Sequence, residues 1–441
     1  MRKAILMAVA VAVCLAAVAG AQQYVLAKGQ WKAADTAAVE AAGGQLVFAH
    51  GPTGIAMVQS DNPSFLDDVQ AGGSFQFAEA DLFVEWEQPP AVEQASVDPS
   101  NDTHFDKQWN LLAIEAQDAW DAGCTGDGAR VAVIDGGVNH LHNDLAGQVD
   151  VACSASFVPP FPFNFDLGTF WHGSHVSGIV AAADNSFGVV GVAPDATIMA
   201  VKALHGGSGS FGAVIGGILF ASDPSSFTPG CTERADIINM SLGALFFKST
   251  AGGFHSLLNQ AVNFAASKGV LVISAAANNG LDIGQFQDLI VTPAQAGSGL
   301  AISATGPVGW QAVGATDFRR IASYTNYGED LVTLAGPGGD FVYPGNESCT
   351  VGTVTFPCWV FDMVPAPCGG GGNTLTCWAA GTSMATPAVA GVAALIVGAN
   401  PGISLGALKA RLKNSADDEG KVGKDEFYGH GFVNAFRACT E

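Results

Sequence analysis

Three polar residues stand in settings that concentrate chemistry: Asp135, His172 and Ser383. Asp135 ends the apolar run Val131-Ala-Val-Ile134 and is followed by Gly136-Gly137. A carboxylate there anchors a loop or caps a helix as readily as it catalyses. His172 opens the stretch His172-Gly-Ser-His175-Val-Ser-Gly178. Its two histidines at i and i+3 suit metal ligation or a plain helix start, and no carboxylate-bearing zinc motif accompanies them. Ser383 lies in Gly381-Thr-Ser-Met-Ala-Thr-Pro387, at the head of a small-residue stretch reaching Ala399. A serine in that place is a helix cap, or a nucleophile held where the helix dipole favours developing negative charge. Serine becomes nucleophilic when a base takes its proton. Histidine has the pKa for that task, and a carboxylate orients the imidazole and stabilises its charged form. Taken together, the three residues would perform acyl transfer.

Such groups need a frame. Near-continuous apolar runs at 129–135, 197–202, 235–241, 269–274 and 310–315 predict strands buried on both faces. Helical stretches are expected at 172–183, 211–222, 255–268 and 383–399. The alternation predicts one α/β unit over 101–441, with a mostly parallel central sheet and functional groups at the carboxyl ends of its strands. Residues 22–100 read as a small α+β unit, with helices over 33–42 and 63–69 and strands over 45–50, 54–59 and 81–86. Its tail, 89–100, is proline-rich and polar, as in an exposed linker. The small unit is either an independent binding module or a removable pro-segment.

With Asp, His and Ser in that order, each in a glycine-flanked motif, the chain resembles the subtilisin-like serine proteases, the subtilases. Gly381 to Pro387 is similar to the family's full nucleophile motif. His172 to Gly178 is similar to its histidine motif, with Ser174 where threonine is usual. Val131 to Val138 is similar to its aspartate motif, with Gly136 where serine or threonine is usual. Residues 191–202, 238–243 and 428–434 resemble further family segments, so the likeness runs across the whole larger unit.

The resemblance implies a subtilisin-like three-layer fold and peptide hydrolysis through an acyl-enzyme. Ser383 would be the nucleophile, His172 the base and Asp135 its orienting carboxylate. Residues 270–280 resemble the stretch carrying the oxyanion-hole asparagine. That role falls on Asn278, with Ala277 where glycine is usual and Asn279 as the alternative; a simple Asn-Asn-Gly turn is the plainer reading. The Ser383 amide would be the second donor. Substrate would lie as an extended strand along Ser241, Leu242 and Gly243. A structural Ca²⁺ is implied, on Asp102, Asp144 and Asn185 with carbonyls of the loop 184–189, because oxygen donors suit that ion. A polar surface loop capped by Asn185 is the alternative, and no catalytic metal is expected. The small unit becomes a propeptide, an intramolecular inhibitor cut off near residues 90–103. Gly136 supports a second reading, a catalytically silent relative that binds protein, since a hydroxyl missing there leaves Asp135 less supported. Ester hydrolases with Gly-x-Ser-x-Gly order their triad Ser, Asp, His, and this chain does not.

Composition narrows the partners. Among 441 residues, 40 acidic and 18 basic side chains give a net charge of −22, which argues against nucleic acid and against an anionic membrane surface as partners. Protein or peptide substrates are what the resemblance implies, and a monomer is expected. Met1-Arg-Lys3, the apolar run 4–18 and Ala19-Gly-Ala21 predict a secretory signal over 1–21, hence an extracellular or periplasmic protein. No later segment reaches 18 consecutive apolar residues. Of nine cysteines, eight lie beyond that signal, an even number suited to disulfides in an exported chain. Pairing of near neighbours, Cys349 with Cys358 and Cys368 with Cys377, is expected. These four lie in a Cys- and Gly-rich insertion, 340–380, which either borders the substrate cleft or forms a stapled surface loop.

Overall fold

The computed structural model describes residues 21–72, 74–86, 91–94, 105–345, 347–351 and 354–441. Residues 1–20 of the predicted signal, most of the linker and Asp102 lie outside the described residues.

The small unit begins with β1 (Gln22–Ala27), β2 (Gly44–His50), β3 (Ile55–Ser60) and β4 (Phe77–Ala80), an antiparallel sheet in the order β2-β3-β1-β4. Helices Ala33–Ala41 and Phe65–Ala71 lie against it. The expected strand at 81–86 exists as β5 (Phe83–Glu85), but it does not join this sheet. β1 and β4, which sequence patterning missed, supply the third and fourth strands. β6 (Ala91–Gln94) also pairs outside the unit.

The larger unit is built on β7 (Arg130–Asp135), β8 (Ala155–Ser156), β9 (Thr197–Lys202), β11 (Ile237–Met240), β13 (Leu271–Ala275), β15 (Leu300–Thr305) and β16 (Leu334–Pro337). All pair in parallel, in the order β16-β15-β13-β11-β7-β9-β8. Short antiparallel pieces surround them: β10 (Ser208–Ser210), β12 (Ala244–Phe247), β14 (Leu289–Thr292), β17 (Ser348–Val351), β18 (Val354–Pro357), β19 (Val364–Pro367) and β20 (Thr376–Ala379).

The apolar runs follow from burial on two sides. Along β7, Val131 and Val133 enter one core while Ala132 and Ile134 enter the other. β9 divides likewise, Ile198 and Ala200 against Met199 and Val201. Side chains alternate along a strand, so both faces must be apolar. Helices His172–Ala181 and Thr382–Ala399 cover the first face; Phe211–Ser222 and Lys248–Ser267 cover the second. Helix Thr382–Ala399 is long and apolar enough to span a bilayer, yet 83% of it is buried inside the protein. Its small residues let it approach closely: a side chain at Gly391 would overlap Val192.

Residues 310–315 are not a strand. Trp310–Val313 is one helical turn bounded by Gly309 (φ 83°) and Gly314 (φ 71°), both left-handed. The buried Asp362 carboxylate accepts the Gly309 and Trp310 N–H groups at 2.7 and 2.8 Å and so holds the turn's amino end. Burial pushes this carboxyl up to about 6. A four-residue stretch fits either period, and the cap decides. β15 and β16 escaped notice because one is rich in small residues and the other is Leu-Ala-Gly-Pro.

The four disulfides join Cys124 to Cys439, Cys153 to Cys231, Cys349 to Cys358 and Cys368 to Cys377. The two expected near-neighbour pairs are present. The region around them is not a surface loop: Val360, Phe361, Val364, Ala366 and Trp378 are buried in the main core.

The small unit sits on the second helical layer. Phe48 meets Phe157 edge-on at 5.7 Å, and Phe77 meets Phe254 at 5.3 Å. His50 Nε2 lies 3.3 Å from Asp223 Oδ2, and Gln260 Nε2 donates to the Thr53 carbonyl at 3.0 Å.

Candidate active site

Asp135 is the last residue of β7, and His172 is the first residue of its helix. Both are buried, and His172 Nδ1 lies 3.0 and 2.9 Å from the two oxygens of Asp135. A carboxylate only accepts, so Nδ1 carries the proton and Nε2 is left as the basic nitrogen. Nε2 has no hydrogen-bond partner among the described residues. The Gly136 N–H donates to Asp135 Oδ1 at 2.6 Å.

Ser383 is the second residue of helix Thr382–Ala399. Its hydroxyl donates to the Ser241 carbonyl at 3.0 Å, and the Ser241 hydroxyl donates back to the Ser383 carbonyl at 2.8 Å. Pro387 explains the second bond. In a helix the Ser383 carbonyl would accept from the N–H four residues on, and proline has none. Ser241 takes that donor's place, tying the predicted substrate segment to the predicted nucleophile. Ser241→Ala is expected to leave this buried carbonyl unmatched, costing about 1–3 kcal/mol. Pro387→Ala returns an N–H and should recover part of the loss, as read by thermal melts of the single and double variants.

Asn278 follows β13 and faces the same helix end. Its Oδ1 accepts the Thr382 N–H at 2.9 Å and the Thr382 hydroxyl at 2.8 Å. A backbone N–H only donates, so the orientation of the amide is fixed: oxygen toward Thr382, Nδ2 away from it. Ala277 carries φ 68° where an L-residue is strained by about 1–2 kcal/mol. Asn279 points elsewhere; its Oδ1 accepts from Asn326 Nδ2 at 2.9 Å.

The second histidine of the motif is structural. His175 is fully buried, and its Nε2 lies 3.1 Å from the Cys377 carbonyl on β20. Burial pushes it down to about 3. His142, also buried, contacts the Leu375 carbonyl at 2.9 Å and is pushed by burial down to about 4. Both stay neutral in the fold and bind protons when unfolded, below the ordinary 6.5. Their contribution is therefore full above pH 6.5 and lost as pH falls toward 4 and 3. Between pH 6 and 4 we expect unfolding to take up about two protons from these groups, a loss of roughly 2–3 kcal/mol per pH unit. Urea titrations at several pH values check this; a flat profile contradicts it.

A cavity of about 210 Å³ opens beside the pair, lined by Asp135, Asp166, Phe170, His172, Leu204 and Gly207 among others. Its rim leads into edge strand β10, which pairs antiparallel with β5. The Trp86 N–H donates to the Gly207 carbonyl at 2.9 Å, and Trp86 is buried near Phe211 and Phe246. On the other strand leading to the serine, β20 receives β6, with Ala379 opposite Ala91. Asp166, in Phe-Asn-Phe-Asp-Leu-Gly, carries no motif, and sequence reasoning passed over it.

A histidine held by a carboxylate, and at another helix start a serine beside an oriented amide, are groups that suit acyl transfer. Residues 126–431 match the model of the subtilase family, and the chain belongs to that family. It is a serine-type endopeptidase with the subtilisin-like α/β fold. Subtilisin Savinase from Lederbergia lenta is 34% identical over 330 residues, spanning 74% of this chain and 96% of its own. Thermitase from Thermoactinomyces vulgaris is 33% identical over 341 residues, spanning 77% and 98%. The epidermin leader peptide processing serine protease of Staphylococcus aureus shares the fold over 96% of this chain and 99% of its own, with a TM-score of 0.72 at 18% identity.

Proposed function

We propose that this chain is an exported endopeptidase, made as a self-processed zymogen, whose triad is Ser383, His172 and Asp135. The observation that carries the reading is the buried Asp135–His172 pair, with a basic nitrogen that has no hydrogen-bond partner among the described residues. When a peptide enters, the Ser383 hydroxyl turns from the Ser241 carbonyl to His172 Nε2. His172 takes its proton as Oγ attacks the scissile carbonyl. Asn278 Nδ2 and the Ser383 N–H hold the oxyanion. The imidazolium, held by Asp135, then protonates the leaving amine, and water repeats the sequence on the acyl-enzyme. Substrate runs along Ser241, Leu242 and Gly243 on one side and the β10 edge on the other.

The pairing of β5 with β10 supports a propeptide role for residues 22–100, since a strand already on the edge excludes substrate. β6 on β20 supports it further. A peptide that pairs with both edges carries its scissile bond between the two pairings. We therefore place the first cut between Trp86 and Ala91, upstream of most of the span expected from sequence. Export rests on the leader at 1–21.

Subtilases generally bind structural calcium, and the side chains here are of the right kind for one ion. Asp144 is buried, with Oδ2 accepting the Val189 N–H at 3.2 Å. Asn185 Oδ1 accepts the Phe187 N–H at 3.0 Å, and its Nδ2 donates to the Asn143 carbonyl. Among the described residues no cluster of three or more His, Cys, Asp or Glu would hold a metal, so loop carbonyls would complete this site. Chelation is expected to lower the melting temperature by several degrees and added Ca²⁺ to restore it, with Asp144→Asn blunting both.

The test of the function is purified precursor followed by intact-mass spectrometry, with casein and a lipid ester as rival substrates. Loss of the first 86–90 residues with casein cleavage supports the reading. Ester hydrolysis without casein cleavage overturns it.

A further inference from the structure

Gly136 marks where this chain departs from its family, and the structure contains what takes the missing side chain's room. Asp166 is buried, and a Cβ built on Gly136 would overlap its Oδ2. The same oxygen accepts the Gly137 N–H at 3.0 Å, just behind Asp135. Its other oxygen accepts the Gly206 N–H at 2.7 Å and the Leu167 N–H at 2.9 Å. Gly206 leads through Gly207, whose carbonyl receives the Trp86 N–H, into edge strand β10. One carboxylate thus fastens the loop after Asp135 to the segment that pairs with an incoming strand.

Asp166 also faces a buried lysine and a partly buried histidine. Lys202 Nζ lies 3.7 Å from Oδ1, and His205 Nδ1 lies 3.2 Å from it. Lys202 is fully buried, and its amine has no hydrogen-bond partner among the described residues. Burial lowers its pKa, while Asp166 and Asp135 raise it. A buried charge is retained when charge and hydrogen bonds compensate it. Here three backbone N–H groups and the Lys202 ammonium do so. The loop bearing Phe165 and Asp166 packs onto both glycines, and a side chain at Gly137 would overlap the Phe165 backbone.

We propose that Asp166 is a positioning residue of the catalytic centre, coupled to Gly136: the carboxylate occupies the space of the usual hydroxyl side chain and aligns the Asp135 loop with β10. The proposal rests on the triad reading above. It makes Gly136 and Asp166 a matched pair, not a lost support. A side chain at 136 is harmful only while Asp166 is present.

The test is a cycle of full-length precursors: wild type, Gly136→Ser, Asp166→Ala and the double variant, with His172→Ala as the reference for the triad. Each is assayed for self-processing and for kcat and KM on one peptide, with melts to record folding. We expect Gly136→Ser to lose at least 100-fold in kcat/KM. Asp166→Ala should lose about 10-fold, mainly in kcat, at temperatures well below its melt. The double variant should recover to within about 10-fold of wild type. If Gly136→Ser fails to fold, recovery of folded, processed protein in the double variant is the same expected rescue. A fully active Gly136→Ser, or a double variant no better than the product of the singles, overturns the coupling. Loss in Asp166→Ala that vanishes at low temperature overturns the positioning role. If His172→Ala keeps wild-type activity, the triad reading itself has failed, an outcome distinct from additivity with a dead His172→Ala.

Discussion

The Ser383→Ala precursor is expected to stay at full length and to lose about 10⁶ in casein turnover, the size known for the nucleophile of subtilisin, a relative of this chain. Two consequences should appear together because one hydroxyl serves both reactions. The substitution is mild for the fold. Ser383 Oγ makes one hydrogen bond, to a carbonyl that retains other acceptor capacity, and the Ser241–Ser383 carbonyl bond does not use the removed atom. A melting temperature within a few degrees of wild type should therefore accompany the loss. Intact-mass spectrometry and a casein assay read both effects. Processing by the alanine variant would show that another group, or another protein, makes the cut.

Asn278→Ala carries the second large effect. Its Oδ1 is held by the N–H and hydroxyl of Thr382, so the amide is oriented before substrate arrives. Such pre-orientation matters because donors aimed at a developing oxyanion act in the transition state more than in the bound ground state. We expect kcat to fall about 10²–10³-fold with KM within about 3-fold, a magnitude taken from the corresponding subtilisin residue. Part of the loss has a structural source, since Thr382 loses its acceptor at the start of the nucleophile's helix. Asn278→Asp separates the two. It keeps an oxygen for Thr382 and removes the donor, so its kcat should remain as low while its melting temperature rises above that of the alanine variant. An aspartate variant with near-normal kcat contradicts the role.

Much of the fold was legible in the sequence, and for a physical reason. β7 and β9 are buried on both faces, so they are apolar at every position and stand out from their surroundings. Asp135 ends the first of these strands and His172 opens a helix, and the structure brings these two singled-out residues into contact. What stayed hidden depends on contacts distant in sequence. β1 gains its strand character from pairing with β3 and β4, and β4 from pairing with β1. Trp310–Val313 is helical because Asp362, about fifty residues on, caps it. β5 looks like the last strand of the small unit and pairs with the large one.

Asp166 is the instructive omission. Nothing in its own neighbourhood distinguishes it. The available signal lay at Gly136, where a side chain expected from the family is missing. A close-packed interior does not leave such a space empty, so a missing side chain implies a substitute from elsewhere. His175 gives the opposite lesson. Its spacing from His172 suggests paired ligands, but its ring is spent on the Cys377 carbonyl and serves to hold β20 against the histidine helix.

The central claim is that Ser383, activated by His172, is the group that becomes acylated. Covalent labelling tests it most directly: wild type and His172→Ala, each freed of its amino-terminal segment by an added protease, are treated with a fluorophosphonate, digested, and the modified residue is located by mass spectrometry. The account predicts a single adduct on Ser383 in wild type and almost none at equal exposure in His172→Ala. An adduct on another serine, or equal labelling of Ser383 without His172, would contradict it.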